Sequence, residues 1–170
     1  RSARFNSVDI GFLSSPTLIM VVTLMWMGAS PGSTGGGVKV TTVALAVLNI
    51  VALARGKESI EIYKRRIASE SVNKAFAIIL LSVLTIVLSF ILLTFADPEK
   101  EMKQLLFEAV SAYTTCGLSL GVTPCLTSSS KFVLIFTMFV GRVGTLTLLV
   151  AFIKNTKNKS YIYPTEKILF

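Results

Sequence analysis

The sequence predicts an all-α integral membrane protein with one broken transmembrane helix and one re-entrant half-helix, and three observations lead there. Of the 170 residues, 52% are hydrophobic, a larger apolar share than an ordinary soluble domain of this size carries. They come in long blocks: residues 76–96 are uncharged over about the twenty positions needed to cross a hydrocarbon core roughly 30 Å thick. Two other stretches depart from what a spanning helix requires. Five of the eleven glycines fall between Gly28 and Gly37, and residues 103–130 mix apolar positions with hydroxyls and glycine.

Residues 17–54 come first among the apolar blocks and make nearly two spans. Apolar runs at 18–27 and 43–54 flank the glycine cluster, so the region reads as one long helix interrupted by an intramembrane loop at 28–37. In hydrocarbon every backbone N–H and C=O must be bonded internally, and irregular backbone survives there only when it is buried in protein or lines a watery cavity. A polar glycine loop at that depth points to a pore or transport path. Residues 55–74 form a basic link, 75–96 the next span, 97–130 a second irregular segment, 131–153 a further span whose residues 132–153 carry a single charge, Arg142, and 154–170 a basic tail.

The formal charge of +8 invites a nucleic-acid reading that the placement of the charges opposes. Arg55, Lys57, Lys64, Arg65, Arg66 and Lys74 crowd the 55–74 link, and Lys154, Lys157, Lys159 and Lys167 follow the last span. Two crossings separate these segments, so they share a side, and the positive-inside rule makes that side the cytoplasm. The opposite link carries Asp97, Glu99, Glu101 and Glu108 against Lys100 and Lys103 and reads as the outer side. The cations are then orientation signals beside membrane lipid, and no nucleic-acid partner is expected.

Residues 103–130 are too few and too mixed to cross and return as two helices. Residues 102–113 (MKQLLFEAVSAY) can form about three helical turns; Thr114, Thr115, Cys116, Gly117, Leu118, Ser119, Leu120 and Gly121 follow, with Pro124 beyond. A half-helix that dips inward and returns as an extended strand fits this order. Its C-terminal carbonyls would face the membrane centre, where the helix dipole favours a cation. Gly117 could take a φ barred to other residues and turn carbonyls toward one axis, as in carbonyl-ring cation filters. The same residues would also suit an ordinary outer loop.

Three separated motifs then carry a family resemblance. Gly32-Ser33-Thr34-Gly35-Gly36-Gly37-Val38-Lys39, Ser111-Ala112-Tyr113-Thr114-Thr115-Cys116-Gly117-Leu118-Ser119, and Gly141-Arg142-Val143-Gly144 with Leu146-Thr147-Leu148 resemble, in this order along the chain, the TrkH/KtrB family of bacterial potassium uptake proteins. The resemblance implies a pore-forming subunit, not an enzyme, with helix–pore-loop–helix repeats, four in one polypeptide around a single ion path. This chain would supply the end of the third pore loop (1–16), the broken second helix of the third repeat (17–54) and the whole fourth repeat. It implies an ion filter at Ser2, Ala3, Arg4, Phe5, Thr115, Cys116, Gly117 and Leu118, with no cofactor and K+ as the permeant ion. It further implies a multi-pass protein of the bacterial inner membrane, homodimeric, with a cytoplasmic nucleotide-binding regulatory subunit against the 55–74 loop and the 154–170 tail. A fragment with one whole pore loop is not expected to conduct selectively alone.

The first residues depart from the family pattern. Arg1-Ser2-Ala3-Arg4-Phe5-Asn6 stands where the family has Arg-Thr-Ala-Gly-Phe-Asn, so Arg4 replaces the filter glycine. A side chain disfavours positive φ, and a guanidinium stays charged. Facing the axis about 4 Å from the ion, it would repel K+ by about 4 kcal/mol at an effective dielectric of about 20, roughly a thousandfold in occupancy; snorkelling toward outer water reduces that figure. Arg4 therefore raises the alternative of a divergent, inactive copy. In the full-length protein, Arg4→Gly is expected to raise potassium uptake, and equal uptake by the two forms would dispose of the idea.

Arg142 has a structural and a functional role open to it. An arginine near the bilayer centre costs about 2.5 to 3.5 kcal/mol on insertion scales and so faces a cavity or a partner. It can brace neighbouring helices through their carbonyls, or stand as a positive barrier below the filter. The gate assigned here joins Arg142 to Ser33, Thr34, Gly35, Gly36, Gly37 and Lys39, since the loop supplies carbonyls and hydroxyls and the guanidinium supplies five donors.

Other signals are weaker. The glycine loop is not a phosphate-binding loop, because Val38 separates Gly37 from Lys39 where that motif needs lysine directly after glycine. Lys39 reads as a solvated or gating charge, Trp26 as packing, and Cys116 with Cys125 as either a pair or two thiols. There is no histidine, the commonest metal ligand and general base. The rival class is a secondary transporter with a broken-helix substrate site; it would ordinarily show an acid within a spanning run, and none is visible.

Overall fold

The computed structural model describes residues 10–30, 32–33, 35–56, 61–62 and 65–152. A single 3-10 turn, Ile10–Phe12, leads into α1, Ser15–Trp26, with Pro16 in its first turn, where a missing N–H costs nothing. Helix α2, Val40–Ala54, follows after the glycine-rich segment. A two-rung antiparallel ladder pairs β1, Glu61–Ile62, with β2, Arg65–Arg66, and is the only sheet among the described residues. Then come α3, Ser69–Ala96, α4, Met102–Tyr113, a short turn at Thr123–Cys125, α5, Ser128–Val143, and α6, Thr145–Phe152. The architecture is therefore helical, and the helix expected over 17–54 is indeed interrupted between Trp26 and Val40.

Two helices differ from their sequence outlines. Helix α3 begins at Ser69 rather than 75, because hydropathy marks where hydrocarbon begins and not where a helix begins. Its polar first turns carry an exposed Glu70–Lys74 pair at 3.9 Å, of little energetic weight at the surface. The span expected over 131–153 is two helices, starting at Ser128 and broken at Gly144, whose φ is +92°. Only glycine takes that conformation readily, and the leucine-rich run around it hides the break from any hydropathy average.

Helix α4 is the centre of the bundle. Leu105 and Phe107 through Tyr113 are all buried, so the C-terminal part of this half-length helix, about 18 Å long, is enclosed as a core helix is, while Met102 and Leu106 in its first turns are exposed. One cluster packs Phe107, Val110 and Tyr113 with Met25 of α1 and Ile86 of α3; another packs Leu105, Ala109 and Ala112 with Leu93 of α3 and Leu134 of α5. Helix α3, about 42 Å long, is the described helix long and apolar enough to cross a membrane. It turns Ala75, Ser82 and Ser89 inward and Leu80, Leu84, Leu88 and Phe95 outward. Small and hydroxyl residues thus share the inner face with Ile86 and Leu93 and let the helices pack closely, while the large apolar outer face suits lipid.

Asp97 ties the C-terminus of α3 to the N-terminus of α5. Its carboxylate accepts from Ser130 Oγ, from the Thr127 N–H at 3.2 Å and from Thr127 Oγ1 at 3.1 Å, while Thr127 caps α5 by accepting from the Ser130 N–H. The Ser130 hydroxyl, ahead of the Thr127 donors, holds the Asp97 carboxyl below its ordinary pKa against the opposing effect of burial. An acid counted from sequence as outer-side charge is thus a structural clasp at a helix N-terminus, where negative charge is favoured.

Candidate functional site

The glycine segment folds as a tight excursion from the broken helix. Met27 and Val38 pair as a single parallel bridge, and the Val40 N–H reaches the Ala29 carbonyl at 3.4 Å. The two legs cross so closely that a Cβ on Gly28 would overlap the Val38 carbonyl oxygen. At the tip the Ser33 N–H donates to the Ser30 carbonyl at 3.0 Å and the Gly35 N–H to Ser33 Oγ at 3.3 Å. Lys39 is half-buried and its ammonium donates to the carbonyls of Ser33 at 3.3 Å and Gly35 at 3.5 Å. The lysine read from sequence as a solvated or gating charge holds the loop closed on itself.

Beyond α4 the chain makes an unusual turn. Thr114 Oγ1 donates back to the Val110 carbonyl at 2.9 Å, and the Thr115 and Cys116 N–H groups return to the carbonyls of Ala112 at 3.0 Å and Ser111 at 3.1 Å. Thr115 has φ +51° and Gly117 φ +77°. Among the described residues Thr115 is the only non-glycine with positive φ, and for a β-branched residue this conformation is a true outlier. Strain of this kind, on the order of 1–3 kcal/mol, persists where surrounding structure over-determines it, and it clusters at ligand clamps and switch regions. Cys116 is buried, Gly117 is exposed, and the Leu118 carbonyl accepts from Ser111 Oγ. Cys116 and Cys125 are not joined.

Loop, turn and last helix meet at one point. The Gly36 N–H donates to Thr115 Oγ1 at 3.0 Å. A Cβ on Gly36 would stand 2.7 Å from Thr115 Oγ1 and 3.0 Å from the Gly141 carbonyl oxygen, and one on Gly37 would stand 3.3 Å from Thr114 Cγ2. Gly141 is itself pressed so tightly on α4 that a Cβ there would overlap the Tyr113 carbonyl. Each of the three motifs thus brings a glycine or threonine to the same junction. Arg142 follows Gly141 in the last turn of α5, with its side chain exposed on this chain. Ser33 is exposed at the loop tip. Ser2, Ala3, Arg4, Phe5 and Thr34 lie outside the described residues, as does the tail from 153.

One residue at this site was not found from sequence. Glu108, counted there among the outer acids, is buried in α4 and accepts from Ser119 Oγ. Its spacing of three from Ser111 was the available signal, since positions three apart share a helix face.

Comparison with known proteins agrees with the three motifs. The family described as TrkH, cation transport protein, matches residues 1–162. The chain is 36% identical over 169 residues to the Ktr system potassium uptake protein D of Bacillus subtilis, covering 99% of this chain and 37% of that protein. It is 37% identical over 150 residues to the Ktr system potassium uptake protein B of Vibrio alginolyticus, covering 87% and 32% respectively. It is 32% identical over 174 residues to the potassium/sodium uptake protein NtpJ of Enterococcus hirae, covering 99% and 39%. The chain spans under two fifths of the length of each of these relatives.

Proposed function

This chain belongs to the TrkH cation transport family, whose members are membrane transport proteins and not enzymes, and from that membership we propose that it forms part of the pore of a potassium uptake protein. K+ passes a filter to which Thr115, Cys116 and Gly117 present backbone carbonyls, with Leu118 closing the strand and Ser2, Ala3, Arg4 and Phe5 adding the third-repeat contribution. Positive φ at both Thr115 and Gly117 supports a strand whose carbonyls turn to one side, a ring that replaces an ion's hydration shell. The segment from α4 to α5 is then a re-entrant pore loop, with the α4 C-terminus aimed at the ion. Glu108, engaged by Ser119, belongs to the scaffold of this filter, so the coupled-carrier alternative gains no acid in the path.

The observation that carries the proposal is the Gly36 N–H on Thr115 Oγ1. A loop bonded to the turn after α4 supports a gate beside the filter, made of Gly35, Gly36, Gly37 and Lys39 with Ser33, Thr34 and Arg142. We extend the proposal to the whole protein: a homodimer of the bacterial inner membrane, its 55–74 loop and 154–170 tail cytoplasmic and in contact with a nucleotide-binding regulatory subunit, with sodium as a candidate coupling ion. The full-length gene should restore growth of uptake-deficient cells on limiting potassium, and Arg142→Gln should raise the resting leak. Absence of rescue, or rescue for sodium alone, would overturn the assignment.

A further inference from the structure

We infer that Glu108 is a positioning residue for ion selection: it fixes the return strand of the pore loop through Ser119, and through that strand the carbonyls of the filter. The inference rests on the pore reading above and deepens it. Glu108 and Ser111 lie on one face of α4, and both reach the strand that leaves the filter turn. Ser111 holds it twice, its carbonyl accepting the Cys116 N–H at 3.1 Å and its hydroxyl donating to the Leu118 carbonyl. Glu108 takes the next residue by accepting from Ser119 Oγ.

The valence of Ser119 makes this grip specific. A serine hydroxyl has one hydrogen to give and two lone pairs to fill. Its hydrogen goes to Glu108, so the Thr123 hydroxyl, 2.8 Å away, must donate to Ser119, and the Gly121 N–H at 3.0 Å fills the remaining lone pair. Glu108 is thus the acceptor that orients a fully used hydroxyl, and the hydroxyl in turn joins strand, turn and Thr123. Gly117, exposed and at φ +77°, has no such tie among the described residues. Its carbonyl direction depends on the flanking residues that the half-helix grips on both sides. The carboxylate is buried at 5% exposure, deep enough that losing its partner leaves an unsatisfied group rather than a rehydrated one.

The test uses the full-length protein in uptake-deficient cells, with uptake normalised to the amount of protein in the membrane. Glu108→Ala and Ser119→Ala should each lower the K+/Na+ selectivity ratio by about tenfold and raise KM for K+ more than they lower the maximal rate. The double variant should be no worse than either single one, because both remove the same bond. Glu108→Gln keeps an acceptor at the same place and should keep near-native selectivity. If Glu108→Ala does not accumulate, Ser119→Ala and Glu108→Gln carry the test. Unchanged selectivity in Ser119→Ala, or additive losses in the double variant, overturns the inference while the unsubstituted protein still takes up K+. Failure of the unsubstituted protein to do so instead overturns the pore reading.

Discussion

Gly141→Ala is expected to lower potassium uptake by the full-length protein by about a hundredfold at equal protein amount. A methyl on Gly141 would overlap the Tyr113 carbonyl oxygen, which is backbone and cannot swing aside as a side-chain tip would. Overpacking a filled core costs about 1–3 kcal/mol and sometimes more, and here the simplest relief is retraction of the α4 C-terminus from α5. Thr115 and Cys116 hang from that terminus through the carbonyls of Ala112 and Ser111, so the proposed filter turn moves with it. About 3 kcal/mol lost from ion binding is roughly a hundredfold. Gly11→Ala, where an added Cβ meets nothing within 4 Å, should leave uptake unchanged. Tracer uptake on both variants checks the prediction, and normal transport by Gly141→Ala would refute it.

Gly36→Ala should act in the opposite direction and raise basal leak by about tenfold. The new methyl would sit 2.7 Å from Thr115 Oγ1 and 3.0 Å from the Gly141 carbonyl, closer than such atoms settle. The loop must lift, and the bond from the Gly36 N–H to Thr115 goes with it. That bond contributes about 1 kcal/mol, and with the contact strain a shift of about 1.4 kcal/mol toward the lifted state is a tenfold change in its population. Conductance of the closed channel in proteoliposomes measures the effect. A leak equal to that of the unsubstituted protein would show that the loop does not obstruct the path.

Much of this arrangement was legible in the sequence because it follows from backbone chemistry. Glycine density between Gly28 and Gly37 foretold the interruption between Trp26 and Val40, since few helices tolerate it. The half-helix over 102–113 coincides with α4, bounded by Glu101 and the Thr-Thr-Cys-Gly turn. What stayed hidden depends on tertiary contact. Glu108 and Asp97 were counted as outer charges because a charge tally records sign and not burial; one grips Ser119 and the other clasps α5. The bonds from Lys39, read as a solvated or gating charge, to the carbonyls of Ser33 and Gly35 come from the fold of the loop. The break at Gly144 is set by one torsion angle inside an apolar run.

The inward serines of α3 have a consequence for how the junction holds its height. Ser82 accepts from the Trp26 indole N–H at 3.2 Å, at the last residue of α1 before the chain departs into its glycine excursion. Ser89 meets the Thr137 hydroxyl at 2.7 Å, one turn ahead of Gly141 on α5. Seven residues, about 10 Å of rise, separate the two serines, so α3 serves as a gauge block with two notches. One notch fixes the level from which the loop is hung, and the other fixes the level of the seat it rests on. Inserting a residue between them would displace one level against the other by about 1.5 Å and turn the notches to different faces, putting the flap out of step with its seat though every residue of either remained in place.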